Sequence, residues 1–114
     1  MRDSYETTYT FETANFTLEL ALAPEDISPR DCFDMDEESF VELCDKIDSG
    51  VYLWFVARVR VLMNGHELAS DYLGGCCYSS PDEFRRDGYF YDMARNALSE
   101  ARKTLNNAPK MRAA

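Results

Sequence analysis

The chain has 114 residues, and its 46% hydrophobic, 13% aromatic and 29% charged residues are typical of one folded domain, here taken as residues 1–114. This composition excludes a disordered chain, and no apolar run approaches the roughly 20 residues that a membrane span requires. The N-terminus lacks the apolar segment of a signal peptide, so the sequence predicts a cytoplasmic protein with reduced cysteines.

The charge is unevenly distributed along the chain. The formal net charge is −9; residues 1–50 hold 14 acids and 3 bases, a net of −11, whereas residues 51–114 hold 7 acids and 9 bases, a net of +2. The acids are densest from Glu25 to Asp48, where ten acids accompany two bases. Such a surface favours a basic protein as partner and disfavours direct binding of nucleic acid, which is itself a polyanion.

Two strands are predicted at the start of the chain. Apolar or aromatic residues alternate with polar ones over residues 5–12 and again over 16–22, and turn-forming residues 13–15 lie between them, which predicts a hairpin. Pro24 ends the second strand, and a loop is expected to run through residues 25–33.

A helix follows the loop. Asp34 or Asp36 is predicted to cap it, since Glu37 and Glu38 then fall in its first turn, where negative charge is favourable. Apolar residues recur at i, i+3, i+4 and i+7, namely Phe40, Leu43, Cys44 and Ile47. We expect this stripe to turn inward and to leave Glu38, Glu42 and Asp45 on the exposed side. Gly50 is suited to the end of the helix.

A second hairpin is predicted around Asn64-Gly65, a pair suited to a type I′ turn. The third strand runs from Val51 to Met63, and the turn sets Arg58 opposite Asp71 as an ion pair. The same register sets Val61 opposite Leu68, Val59 opposite Ser70, Ala57 opposite Tyr72, and Leu53 opposite Cys76. Gly74-Gly75 predicts a bulge, or room for the Trp54 and Phe55 rings to lie over the backbone.

The last part of the chain is predicted to be helical. Ser80-Pro81 is typical of a helix start, Gly88 can interrupt the helix, and helical spacing of apolar residues then continues over residues 90–105, before a frayed tail at 110–114. The order is β-β-α-β-β-α. We therefore predict an α+β fold: a four-stranded antiparallel sheet with a long C-terminal helix packed on one face, that of Leu53, Phe55, Val59 and Val61.

Residues suited to catalysis or metal binding are sparse. His66 is the sole histidine and lies in the second hairpin turn, and the four cysteines lack the spacing of a zinc site: Cys32, Cys44, Cys76 and Cys77. We interpret Cys76 and Cys77 as buried structural thiols, with a thiol nucleophile near Arg85 and Arg86 as the catalytic alternative. The sequence predicts a protein that is not an enzyme, with no catalytic residues, metal or cofactor.

The acidic helix is the leading candidate for partner binding. Its carboxylates, a few ångströms apart on a rigid helix, resemble a row of phosphates that enters a basic nucleic-acid channel of another protein. The predicted contact residues are Asp34, Asp36, Glu37, Glu38, Glu42, Asp45 and Asp48. The alternative is a solvated acidic face that maintains solubility.

A second candidate interface lies on the third strand, where aromatic and basic residues share one face: Tyr52, Trp54, Arg58 and Arg60. Tryptophan, tyrosine and arginine are enriched at interface hot spots, so this face suits a small regulatory or antitoxin-like module. The alternative is a second small core in which the arginines pair with the chain's own acids. An exposed strand edge also allows a homodimer.

Several segments resemble small accessory proteins of phages and prophages: Trp54-Phe55, residues 71–78 (DYLGGCCY), Glu83-Phe84 and residues 89–93 (YFYDM). In size, acidity and single-domain α+β build, the whole chain is similar to phage-encoded anti-CRISPR proteins. That resemblance is at the level of the class and carries over no functional residue. It implies an inhibitor, in the host cytoplasm, that binds a Cas protein or complex and blocks its access to DNA.

Overall fold

The structure is a computed structural model that describes residues 4–107. In chain order its elements are β1 (Glu6–Glu12), β2 (Thr17–Pro24), α1 (Pro29–Cys32), α2 (Glu37–Asp48), β3 (Leu53–Met63), β4 (His66–Tyr78), α3 (Pro81–Arg86) and α4 (Gly88–Asn107). The strands form one antiparallel sheet in the order β1-β2-β3-β4. The predicted α+β class is confirmed, and so is the helix start at Ser80-Pro81, where Gly88 separates the short α3 from α4; the short helix α1 is added in the predicted loop. The predicted tail, 110–114, lies outside the described residues.

The core lies between one face of the sheet and α4. Because side chains alternate along a strand, every second residue of β2 and β3 points to this face, and these residues are apolar. Small residues of α4 allow the helix to approach the sheet closely. The buried residues of this core on β2, β3 and α4 are Leu18, Leu20, Leu22, Phe55, Ala57, Val59, Val61, Met93, Ala94, Ala97 and Ala101, and Cys76 of β4 and Phe84 of α3 belong to the same cluster. The predicted packing of α4 is therefore confirmed, except that Leu53, at the start of β3, is exposed. Within residues 4–107, no helix combines the length and apolarity needed to cross a membrane.

The short helix α3 closes one end of the core. Ser80 caps it by accepting a hydrogen bond from the Glu83 backbone N–H at 3.1 Å, and Pro81 occupies its first turn, as the sequence predicts. Its central residue, Phe84, is fully buried. The Phe84 ring meets the rings of Phe55 and Tyr78 edge-on, with centroids 5.6 and 5.1 Å away.

The second hairpin forms at the predicted turn, but its predicted register is wrong. Asn64 and Gly65 both have positive φ, as a type I′ turn requires. A bulge after Val61 then adds one residue to β4, so Ala69 rather than Leu68 faces Val61, and the remaining predicted partners shift with it. Arg58 consequently lies opposite Tyr72, and the predicted ion pair with Asp71 does not form.

A second bulge forms at Gly74-Gly75, as the glycine pair predicts. It lies between the Phe55–Cys76 and Ala57–Leu73 partners, and Gly75 has a φ of +65°. A Cβ at Gly75 would lie 3.6 Å from the Trp54 ring and 3.2 Å from the Cys32 sulfur, so a side chain there would be crowded as well as strained. The Gly75 N–H donates to Glu25 Oε1 at 2.8 Å, which ties the loop after β2 to the bulge.

Candidate functional site

The acidic helix α2 is held at both ends by local contacts. Asp36, not Asp34, is the cap: its Oδ1 accepts a hydrogen bond from the Ser39 backbone N–H at 2.8 Å, which lowers the pKa of Asp36. Asp34 lies exposed in the preceding loop. At the other end, the backbone N–H groups of residues 51 and 52 both donate to the Lys46 carbonyl, and Gly50 adopts a φ of +85°.

The apolar stripe of α2 is only half-buried, which corrects the expectation that it turns into the core. None of the helix's residues is buried, and Val41, at the edge of the stripe, is 48% exposed. The core face of the sheet is already covered by α3 and α4, so α2 packs against α1 instead. The Arg30 guanidinium covers the Phe40 ring at 4.0 Å. The helix is thus attached beside the sheet and keeps much of its surface exposed.

The exposed side of α2 carries carboxylates that the rest of the described chain leaves unneutralised. Glu38, Glu42 and Asp45 lie at i, i+4 and i+7 and are all exposed. Within residues 4–107, these three side chains form no ion pair, and neither does Asp48, the last residue of the helix. Glu37 differs, because it pairs with Arg30. Of the seven predicted contact residues, Asp36 caps the helix and Glu37 pairs with Arg30, and the other five are exposed to solvent.

The arrangement of these acids is in part unfavourable for the helix that bears them. Glu38 and Glu42 are like charges at i, i+4, and Asp45 follows Glu42 at i, i+3; such pairs weaken a helix. Asp45 and Asp48 also lie in the last turn, where negative charge opposes the helix dipole. The first-turn position of Glu38 and the i, i+4 spacing of Glu42 and Lys46 offset part of this cost, and contact with a positively charged surface would relieve the rest.

The arginines of the second candidate interface pair with two acids of the chain: Glu19 contacts both, and Glu67 contacts Arg60 at 3.6 Å. Glu19 of β2 lies between them: its Oε1 accepts from Arg60 Nε at 2.7 Å and from Arg58 Nη2 at 3.3 Å. Burial alone would raise the pKa of Glu19, but the hydrogen bond and charge of Arg60, with further help from Thr7 and Arg58, lower it. Glu19, and not the predicted Asp71, is therefore the ion-pair partner of Arg58.

The aromatic residues of that interface are also engaged. Trp54 donates its indole N–H to the Ile27 carbonyl at 2.8 Å and meets the Phe33 ring edge-on, with centroids 5.9 Å apart. Tyr52 lies just before β3, with its ring 5.6 Å from Lys46 Nζ. These contacts favour the interpretation of this face as a second small core.

We expect Glu19→Gln to destabilise the fold by roughly 2–3 kcal/mol at neutral pH. This is below the 3–5 kcal/mol of a fully buried pair, because Arg58 and Arg60 keep 16% and 28% side-chain exposure. The lowered pKa of Glu19 supplies stability above its ordinary value of 4.5, and that stability is lost as pH falls through the folded pKa. Urea unfolding across this pH range should show the difference between wild type and variant shrinking in acid; a constant difference would contradict the assignment.

The cysteines and histidine form no recognisable catalytic group. Burial raises the pKa of the Cys76 thiol to about 11 and also raises that of Cys77, so neither is activated as a thiolate. The nearby Arg85 stacks 4.5 Å from the Tyr9 ring. His66 is exposed at the start of β4. In the described part of the chain, no three His, Cys, Asp or Glu side chains cluster as a metal site requires.

Comparisons with protein-family models, with curated proteins and with solved structures find no match. The function of the chain is therefore inferred from its own surface. Two residues that matter to the candidate interfaces, Glu19 at the arginines of β3 and Val41 on α2, carry no clear sequence signal. Glu19 resembles any polar position of an alternating strand, and Val41 falls outside the i, i+3, i+4, i+7 stripe of α2.

Proposed function

We propose that the chain is a non-enzymatic inhibitor that binds a basic, nucleic-acid-handling protein in the cytoplasm. Within that class we propose an anti-CRISPR activity, in which α2 occupies the DNA-binding surface of a Cas protein or surveillance complex. The observation that supports this is the exposed row of Glu38, Glu42 and Asp45, which has no ion-pair partner within residues 4–107.

The spacing of these carboxylates suits a surface built to hold phosphates. At about 1.5 Å of rise per residue, the three lie about 6 and then 4.5 Å apart along the helix axis. Phosphates on one DNA strand recur at about 3.4 Å of axis, so both rows present several negative charges within a short length. A basic channel would attract the helix electrostatically and speed association.

The alternative, a regulatory or antitoxin-like module that uses the face of Tyr52, Trp54, Arg58 and Arg60, has less support. Glu19 pairs with both arginines, Glu67 also pairs with Arg60, and Trp54 is covered by Ile27 and Phe33. A partner that used this face would therefore have to displace contacts that the chain already makes there.

Expression of the chain in cells whose CRISPR–Cas system targets a phage is expected to restore plaque formation. The number of plaques should rise to that seen with a non-targeting guide, for at least one system in a panel of Cas types. Cells with the non-targeting guide are the control, since their plaque number should not change. If the folded chain restored plaques with none of the systems, the anti-CRISPR assignment would be abandoned.

A further inference from the structure

The apolar and acidic sides of α2 meet at one exposed residue. With about 3.6 residues per turn, Val41 projects between the apolar stripe and the row of Glu38, Glu42 and Asp45. Val41 is 48% exposed, and the stripe residues beside it are only half-buried. The helix therefore presents an apolar surface and a carboxylate row side by side.

Exposed apolar side chains are frequent in the part of the sequence that contains this helix. Among residues 4–107, ten large hydrophobic side chains are exposed, and five of them lie in residues 27–53, about a quarter of the described chain: Ile27, Phe33, Val41, Val51 and Leu53. A single exposed apolar residue is ordinary, but on α2 Val41 continues the half-buried apolar stripe and is bordered by a row of like charges, as in an interaction surface with a polar rim. Solubility alone would require the charges and not the apolar residues.

Charge determines which occupant suits this surface. The helix carries five acids and one base, a net of −4, so two copies meeting through α2 would bring together two strongly negative surfaces. A partner with apolar side chains bordered by lysine or arginine complements both sides of the helix. At about 1.5 Å per residue, the 12 residues of α2 span about 18 Å, which a partner helix of about three turns would match.

We infer that α2 docks a basic amphipathic helix of its partner protein, with Val41 packing against the partner's apolar side chains and Glu38, Glu42 and Asp45 contacting its cations. This inference rests on the proposed function, because it specifies the partner class of the same site. It adds that the contact has an apolar component, which a purely electrostatic mimic of DNA lacks.

The test uses two synthetic peptides of about 14 residues, composed of leucine and lysine alone. One places its leucines at i, i+3, i+4 and i+7, and the other has the same composition in scrambled order. Fluorescence anisotropy of labelled peptide should show the patterned peptide binding the full chain about tenfold more tightly, which corresponds to the burial of one valine-sized side chain. Val41→Ser should remove that preference, whereas Leu105→Ser, at an exposed leucine of α4, should leave it intact.

Equal affinity for the two peptides, or an unchanged preference in Val41→Ser, would overturn the inference. Sedimentation that showed a dimer dispersed by Val41→Ser would identify a second copy as the occupant and would overturn it equally. The proposed function is judged separately, by restored plaque formation. If plaques are restored but the two peptides bind alike, the inhibitor assignment stands and the amphipathic partner does not. If the patterned peptide is preferred but no plaques are restored, the docking surface stands and the anti-CRISPR assignment does not.

Discussion

Reversing three charges on α2, in the variant Glu38→Lys/Glu42→Lys/Asp45→Lys, is expected to weaken binding to a DNA-free Cas effector by about a hundredfold at low salt. Each reversal removes an attraction to the basic channel and adds a repulsion. Thermal unfolding should change little, because all three side chains are exposed and unpaired within the described residues. Binding is measured by biolayer interferometry with the immobilised effector that the plaque assay identifies.

The matched control reverses the same number of charges elsewhere, in Glu6→Lys/Glu12→Lys/Glu100→Lys. These residues are exposed on β1 and α4, and both triple variants change the formal charge from −9 by +6, to −3. If position matters, the control should bind within a few-fold of wild type, and the difference between the variants should narrow as salt screens the charges. Equal losses in the two variants would mean that net charge, rather than α2, attracts the partner.

Truncation of Phe84 to alanine is expected to cause the largest loss of stability in the described chain, about 3–5 kcal/mol. The side chain is fully buried, and its removal leaves a cavity against Phe55 and Tyr78, which both lose an edge-on ring contact. Urea unfolding followed by circular dichroism measures the change. The α2 surface should still bind the partner under conditions in which the variant is folded.

Phe33→Ala provides the comparison for Phe84. Phe33 also makes an edge-on ring contact, with Trp54, but it is 44% exposed, so its removal should cost less than about 1 kcal/mol. A loss below 1 kcal/mol for Phe84→Ala would show that α3 is not part of the cooperative core. A loss for Phe33→Ala as large as that for Phe84→Ala would show that the loop around Trp54 is a second such core.

The sequence predicts the elements of the fold better than their register. Alternation and helical spacing locate the four strands and the helices α2 and α4, because each pattern reflects which side of an element is buried. The bulges after Val61 and at Gly74-Gly75 each add a residue to β4, and only the glycine pair marks its bulge. The extra residue near Leu68 leaves no comparable mark, so the predicted Arg58–Asp71 pair is wrong.

The candidate site was predictable only in part, for a related reason. The exposure of Glu38, Glu42 and Asp45 follows from their position opposite the apolar stripe of α2. The pairing of Arg58 and Arg60 with Glu19 does not, because residues 25–52 separate β2 from β3 and no turn between them fixes the register. Half-burial of the stripe likewise depends on how α1, α3 and α4 share the available surface, which a local pattern does not encode.

Competition with DNA tests the central claim most directly. The apparent Kd of the Cas effector for a labelled target duplex is measured at increasing concentrations of the chain. If α2 occupies the DNA-binding surface, the apparent Kd should rise in proportion to the concentration of chain, and the α2 triple variant should lose this effect while the control triple variant retains it. An apparent Kd that stayed constant, or that levelled off while the chain was still bound, would place the chain away from the DNA-binding surface and contradict mimicry.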